Sequence, residues 1–198
     1  MIRLIAFDLI GVVFKERKII KNVFMKFYPN ADYNLVKKQY KLYSIGMISH
    51  DEFWKIISLS PKNEELFLKS MKLSVPISFF KDLMKRYTLA VISNLPKEWG
   101  YMSLKLNGLD DLFDYILISG KEKLWKPQRE IYEKLVKISG IKAQEILFID
   151  DKKIHLKGAK EVGMKTVWMK NEDNENFEPD FTINTLKELK GVLNAYKC

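Results

Sequence analysis

Three apolar runs in this chain end in side chains suited to holding a cation and a phosphate. Arg3-Leu4-Ile5-Ala6-Phe7 leads into Asp8, with Gly11 shortly after; Thr88–Ile92 leads into Ser93-Asn94; Glu145–Ile149 leads into Asp150-Asp151. A carboxylate at the carboxyl end of a buried strand stands at the crevice where open α/β sheets take ligands. Singly, these residues have plainer readings: Asp8 as a turn cap, Ser93 as a helix cap, Asn94 as a turn residue. The neighbours Asp150 and Asp151 are harder to dismiss. Beside a buried strand they repel each other unless a cation, a lysine or helix-terminus amides compensate them. Magnesium binds oxygen ligands, commonly one or two carboxylates plus substrate phosphate, and suits such a pair.

The elements that must carry these residues are legible. Apolar runs at Arg3–Phe7, Thr88–Ile92, Tyr115–Ile118, Ile146–Ile149 and Thr166–Trp168 have strand length, and most are followed by a helical pattern. That alternation predicts an α/β fold, a three-layer Rossmann-like parallel sheet covered by helices on both faces. Pro96 and Pro127 precede predicted helices at Lys97–Leu106 and Gln128–Ile138, with Gly108 and Gly140 as their stops. Residues 171–179 read as a polar loop, followed by a short apolar run at Phe181–Ile183 and a last helix from about Thr185. Residues 15–75 break the alternation, with helical periodicity and no convincing strand. Within them Ser49 and Glu52 form a capping-box pattern ahead of Phe53-Trp54, and Ser60-Pro61 starts another helix.

The bulk properties narrow the function classes. A chain of 198 residues that is 47% hydrophobic can bury a full core. Its single cysteine, Cys198, excludes an intramolecular disulfide and a cysteine metal site, and fits a reducing cytoplasm. The apolar start contains Asp8 and lacks a signal-peptide pattern, and no run has membrane-spanning length, so a soluble cytoplasmic protein is expected. The net charge of +9 raises nucleic acid as a partner. The lysines are scattered among acids at helical surface positions, which favours a solvated surface instead. A basic surface also concentrates small phosphorylated substrates.

Taken in order, Asp8, Ser93, Lys126 in Leu124-Trp125-Lys126-Pro127, and Asp150-Asp151 resemble the four sequence motifs of the haloacid dehalogenase superfamily. Residues 15–75 correspond to the small helical cap which that family inserts after its first motif, and Gly46-Met47-Ile48-Ser49 with Glu52-Phe53-Trp54 is similar to a stretch often found there. The resemblance implies a core domain of residues 1–14 plus 76–198 and a cap domain of residues 15–75. It implies a Mg²⁺-dependent phosphatase of a small phosphorylated metabolite, as a monomer or homodimer. Asp8 would be the nucleophile, forming an aspartyl-phosphate. Ser93 and the backbone near Asn94 would hold phosphoryl oxygens, and Lys126 would neutralise charge. Asp150 and Asp151 would hold Mg²⁺ with Asp8 and the main-chain carbonyl of Ile10.

The pattern is broken at Ile10, where the family's phosphatases usually carry a second aspartate as general acid and base. Proton transfer by a placed side chain contributes about 10²–10⁴-fold, so a slow phosphatase, or one limited to good leaving groups, is expected. His50 is the candidate to supply the proton, against its reading as a surface residue of a capped helix. After the aspartates stand Lys152, Lys153 and His155; His155 would orient the aspartate pair or stay idle, and Lys152 could pair with a carboxylate and weaken metal binding. Two alternatives remain: a 2-haloacid dehalogenase, whose first motif also lacks the second aspartate but whose chemistry needs no metal, and a catalytically silent protein binding a phospholigand or a partner. The aromatic residues Phe24, Phe27, Tyr28, Tyr40, Tyr43, Phe53 and Trp54 read as the cap's own core.

Overall fold

The computed structural model describes residues 1–196; Cys198 and the reading of its thiol lie outside them. Six parallel strands form one sheet: β1 (Leu4–Phe7), β2 (Thr88–Ser93), β3 (Tyr115–Ile118), β4 (Ile146–Asp150), β5 (Lys165–Met169) and β6 (Phe181–Ile183), in the spatial order β3-β2-β1-β4-β5-β6. The five expected runs are the first five strands, and Phe181–Ile183 adds the sixth beside β5. The order reverses at β1, so β1 and its two neighbours open the crevice typical of such sheets.

Strand periodicity divides the apolar residues between two cores. Leu4, Ala6, Ala90, Ile92, Ile146 and Phe148 face one cluster, beneath α8 (Arg129–Ser139) and α9 (Lys153–Glu161). Ile5, Phe7, Leu89, Val91, Leu147 and Ile149 face the other. A continuous apolar strand is what a sheet covered on both faces requires.

Helices build the segment of residues 15–75, as expected. A π-helical turn at Ile20–Phe24 runs into α1 (Met25–Phe27); α2 (Tyr33–Ser44), α3 (His50–Ile56) and α4 (Glu64–Lys69) follow. The capping box is present: Glu52 N–H donates to Ser49 Oγ at 3.2 Å and Ser49 N–H to Glu52 Oε2 at 2.7 Å. Pro61 opens a 3-10 turn ahead of α4. This segment shares one apolar cluster with the sheet rather than having a separate core. At its centre stands Trp99 of α6 (Lys97–Leu106), packed against Phe24, Tyr40, Tyr43, Phe53 and Phe67, with its indole N–H donated to the buried Glu64.

Pro127 precedes a helix as expected, one residue further off than its position suggested. The helix after it begins at Arg129, and Pro127 lies outside, joined to Lys126 by a cis peptide bond. Gly140 ends that helix at φ +64°, a left-handed stop that a glycine adopts without strain. No helix among the described residues is long and apolar enough to cross a membrane.

Candidate active site

Register brings the first two acids together. Phe7 pairs with Val91 on one side and Ile149 on the other, so the next residue along β1, Asp8, falls beside Asp150. The Asp8 N–H donates to the Ile149 carbonyl at 2.9 Å, continuing the ladder. Asp8 Oδ1 accepts from Ser93 Oγ at 2.7 Å and from the Leu9 N–H at 2.8 Å. The last residue of β2 and the residue after β1 are thereby joined.

Lys126 is buried among them. Its Nζ lies 2.6 Å from Asp150 Oδ2 and 3.0 Å from Asp8 Oδ1 and stands over the Phe148 ring. Burial works against its charge, but the two carboxylates outweigh that and raise its pKa, so it is a fixed cation. Asn94 positions it: Asn94 Nδ2 donates to the Lys126 carbonyl at 2.8 Å, and the Lys126 N–H donates to Asn94 Oδ1 at 2.9 Å. The Asn94 amide therefore serves Lys126.

Asp150 is fully buried, which opposes ionisation, yet His155 and Lys126 overcome that and hold its pKa below the usual carboxylate range. His155 Nδ1 lies 3.0 and 3.1 Å from its two oxygens, so this histidine is engaged rather than idle. The Lys152 N–H donates to Asp150 Oδ1 at 2.8 Å, while the Lys152 ammonium makes no ion pair among the described residues. Expected pairing of that ammonium with a carboxylate is not seen.

Asp151 is the unbalanced member. Its Oδ2 takes Arg17 Nε at 3.2 Å, and Asn171 Nδ2 donates to its carbonyl at 2.7 Å. Its Oδ1 is buried with no hydrogen-bond partner among the described residues. Burial first, then the charges of Asp150 and Asp8, push its carboxyl up to about 7. One oxygen each from Asp8, Asp150 and Asp151 lie within 4.8 Å of one another. Hard oxygen donors, crowded until one is protonated, with one lone oxygen unsatisfied, fit a small divalent cation. Gly11 leaves the space: at φ +88°, an added Cβ would sit 2.4 Å from Asp151 Oδ2.

A cleft of about 130 Å³ opens over Asp8, Ser93 and Asp151, with Ile10, Lys18 and Tyr40 also on its walls. Ile10 presents no acid. His50 is turned elsewhere, its Nε2 3.0 Å from Glu64 Oε2 in the aromatic cluster. The aromatics of residues 15–75 lie in or against the cluster shared with the sheet rather than in a core of their own, and Tyr40 also reaches the cleft. Burial, then the Asp8 charge, raises its phenolic pKa, so it remains a donor. Arg17 and Asn171 went unnoticed in the sequence, because each reaches Asp151 only through the tertiary fold.

The pattern of the family described as haloacid dehalogenase-like hydrolase matches residues 5–169. The chain is 26% identical to the pyrophosphatase PpaX of Bacillus cereus, over 98% of this chain and 97% of that one. It is 40% identical to the glyceraldehyde 3-phosphate phosphatase of Pyrococcus abyssi, over 42% of this chain and only 36% of that protein. Among solved structures, a HAD phosphatase from Thermococcus onnurineus superposes with a TM-score of 0.76 at 23% identity, covering 97% of this chain and 98% of that one. A HAD family enzyme of Bacteroides thetaiotaomicron, crystallised with magnesium and inorganic phosphate, superposes at 0.68 with 23% identity, covering 89% and 98%. With the family pattern spanning all four motif segments, the chain belongs to the haloacid dehalogenase-like hydrolases.

Proposed function

We propose that the chain is a magnesium-dependent phosphoric monoester hydrolase acting on a small phosphorylated metabolite through an aspartyl-phosphate on Asp8. The observation that carries this reading is the three carboxylates within 4.8 Å, one with a buried oxygen lacking any partner. Asp8, Asp150, Asp151 and the Ile10 carbonyl would hold Mg²⁺, which when bound neutralises charge on the phosphoryl group. Asp8 attacks phosphorus through one carboxylate oxygen. Ser93, whose hydroxyl donates to Asp8 in the free site, would turn to donate to a phosphoryl oxygen, and Lys126 balances charge on Asp8 as it becomes an acyl phosphate. Asn94 holds the Lys126 main chain so that the ammonium cannot drift. Residues 15–75 would act as a cap over a core of residues 1–14 and 76–198.

Relatives with phosphatase names and the magnesium and phosphate bound by a structural neighbour support the reading. Ile10 supports low activity towards poor leaving groups, since no carboxylic acid waits there to protonate them. A dehalogenase attacks carbon without a metal and gives Asp151 no task. The test is release of p-nitrophenol from its phosphate ester with magnesium and with EDTA, beside halide release from a 2-haloacid. Magnesium-dependent ester cleavage is expected; metal-independent halide release alone would overturn the reading.

A further inference from the structure

Asp8 and Asp150 share the buried cation Lys126, and Asp151 has no part in it. The ion pair of Asp151 among the described residues is with Arg17, Nε to Oδ2 at 3.2 Å. Arg17 comes from the root of the 15–75 segment, where the outgoing and returning chains are joined. Phe14 bridges antiparallel to Leu73, the Lys15 N–H donates to the Lys72 carbonyl at 2.8 Å, and the Lys72 N–H donates to Glu16 Oε2 at 2.9 Å. Just beyond, Asn22 closes a turn by donating its side-chain amide to the Arg17 carbonyl at 2.6 Å and its main-chain N–H to the Lys18 carbonyl at 3.0 Å. Lys18 in that turn is held at φ +54°, a conformation uncommon for a non-glycine residue. The main chain at Arg17 is thus fixed independently of its side-chain contacts. The side chain crosses Gly11, where an added Cβ would meet Asp151 Oδ2 at 2.4 Å and Arg17 Cγ at 3.1 Å. One further guanidinium N–H donates to the carbonyl of Lys170, just past β5, at 3.2 Å.

We propose that Arg17 is a positioning residue for the metal: it fixes Asp151 by Oδ2, so that Oδ1 is the oxygen presented to the divalent ion, and thereby sets magnesium affinity. This deepens the hydrolase reading and rests on its metal site. The other contacts of Asp151 anchor its main chain rather than its carboxylate. Asn171 Nδ2 and Trp168 Nε1 donate to its carbonyl at 2.7 and 3.2 Å, while Asn171 Nδ2 stands 3.4 Å from Oδ2, too far to hold it firmly. Without Arg17 the carboxylate is free to turn, and Oδ1, buried with no partner among the described residues, has nothing to keep it aimed. Two effects of opposite sign meet at Arg17. Its positive charge repels a divalent ion, which would make its removal tighten binding. That repulsion is weakened by screening, because the Arg17 side chain is 39% exposed while that of Asp151 is 8% exposed. Losing a partner that orients a metal ligand typically costs about 10–100-fold in metal affinity, so orientation outweighs repulsion.

The test is calorimetric titration of the metal-free protein with magnesium chloride in wild type, Arg17→Met, Arg17→Lys and Arg129→Met, the last removing an exposed ion pair with Glu133 on α8. Arg17→Met should bind magnesium at least about tenfold more weakly than wild type. Its metal-free melting temperature should stay within about 4 °C of wild type, because an exposed pair contributes little to stability. Arg17→Lys keeps the charge but not the planar fork and should remain at least about threefold weak. Arg129→Met should bind as wild type does. Unchanged or tighter binding in Arg17→Met overturns the proposal, and so does wild-type affinity in Arg17→Lys. A loss matched by Arg129→Met, or accompanied by collapse of the metal-free fold in both Arg17 variants, makes the role structural and overturns it too. Wild-type protein that binds no magnesium sinks the metal site of the hydrolase reading together with this proposal; wild-type binding without an effect of Arg17 sinks this proposal alone.

Discussion

Replacing Gly11 by alanine should disable the site while leaving the fold standing. The new Cβ would lie 2.4 Å from Asp151 Oδ2 and 2.7 Å from its Cγ, where non-bonded carbons prefer about 3.5–4.0 Å, so the carboxylate must retreat by roughly 1 Å. It cannot do so freely, because Arg17 and Asn171 hold that residue. Misplacement by about 1 Å can cost about 10²-fold in rate. The backbone adds a second cost, since φ +88° is left-handed, worth roughly 1–2 kcal/mol for a residue with a side chain. Gly140→Ala separates the two: φ there is +64° and nothing lies within 4 Å of the added carbon. Both variants should lose about 2–8 °C of thermal stability. Only Gly11→Ala should lose about 10²-fold in p-nitrophenyl phosphate turnover and need more magnesium for half-maximal rate. Wild-type rate and magnesium dependence in Gly11→Ala, or an equal loss in Gly140→Ala, would refute the reasoning.

Lys126→Met leaves Asp8 and Asp150 facing each other without their shared cation and should cost about 3–5 kcal/mol, read as a lowered denaturant midpoint; an unchanged midpoint contradicts it. Ile10→Asp should accelerate alkyl phosphate hydrolysis more than p-nitrophenyl phosphate hydrolysis, by up to about 10²-fold, and equal gains count against a missing leaving-group proton. Asp151 sits at about 7 when folded and metal-free, above its unfolded value near about 3.9, so the folded state binds the extra proton. That contribution to stability is complete below about pH 4 and is lost as the pH rises through about 7. In EDTA the melting temperature should therefore fall between about pH 5 and about pH 8, less steeply in Asp151→Asn, and magnesium should stabilise more at the higher pH. An identical slope in that variant would assign the effect to other groups.

The sheet was readable because both faces of each inner strand are buried, which leaves continuous apolar runs that no helix of the chain imitates. Strand ends follow from that, and with them the acids and Ser93; Lys126 lies in the loop before α8 and is placed only by its resemblance to the family motif. The roles of partners were less visible. His155 and Asn94 could be picked out, but helix phase and loop path decide that one braces Asp150 and the other Lys126. Arg17, Asn171 and Tyr40 meet the site from distant segments, and charge or aromaticity at a position does not reveal which wall it will face. His50, the expected proton donor, went the other way: the buried Glu64, fourteen residues further along, claims it.

Covalent capture of the phosphoryl group tests the central claim most directly. Wild-type protein in excess over radiolabelled p-nitrophenyl phosphate, with magnesium, is quenched in acid within a single turnover and digested. Hydroxylamine-labile label is expected on the peptide containing Asp8, and none when EDTA replaces magnesium. Turnover with no labelled peptide at any quench time, or label on a different residue, would contradict nucleophilic attack by Asp8 at a carboxylate-held metal.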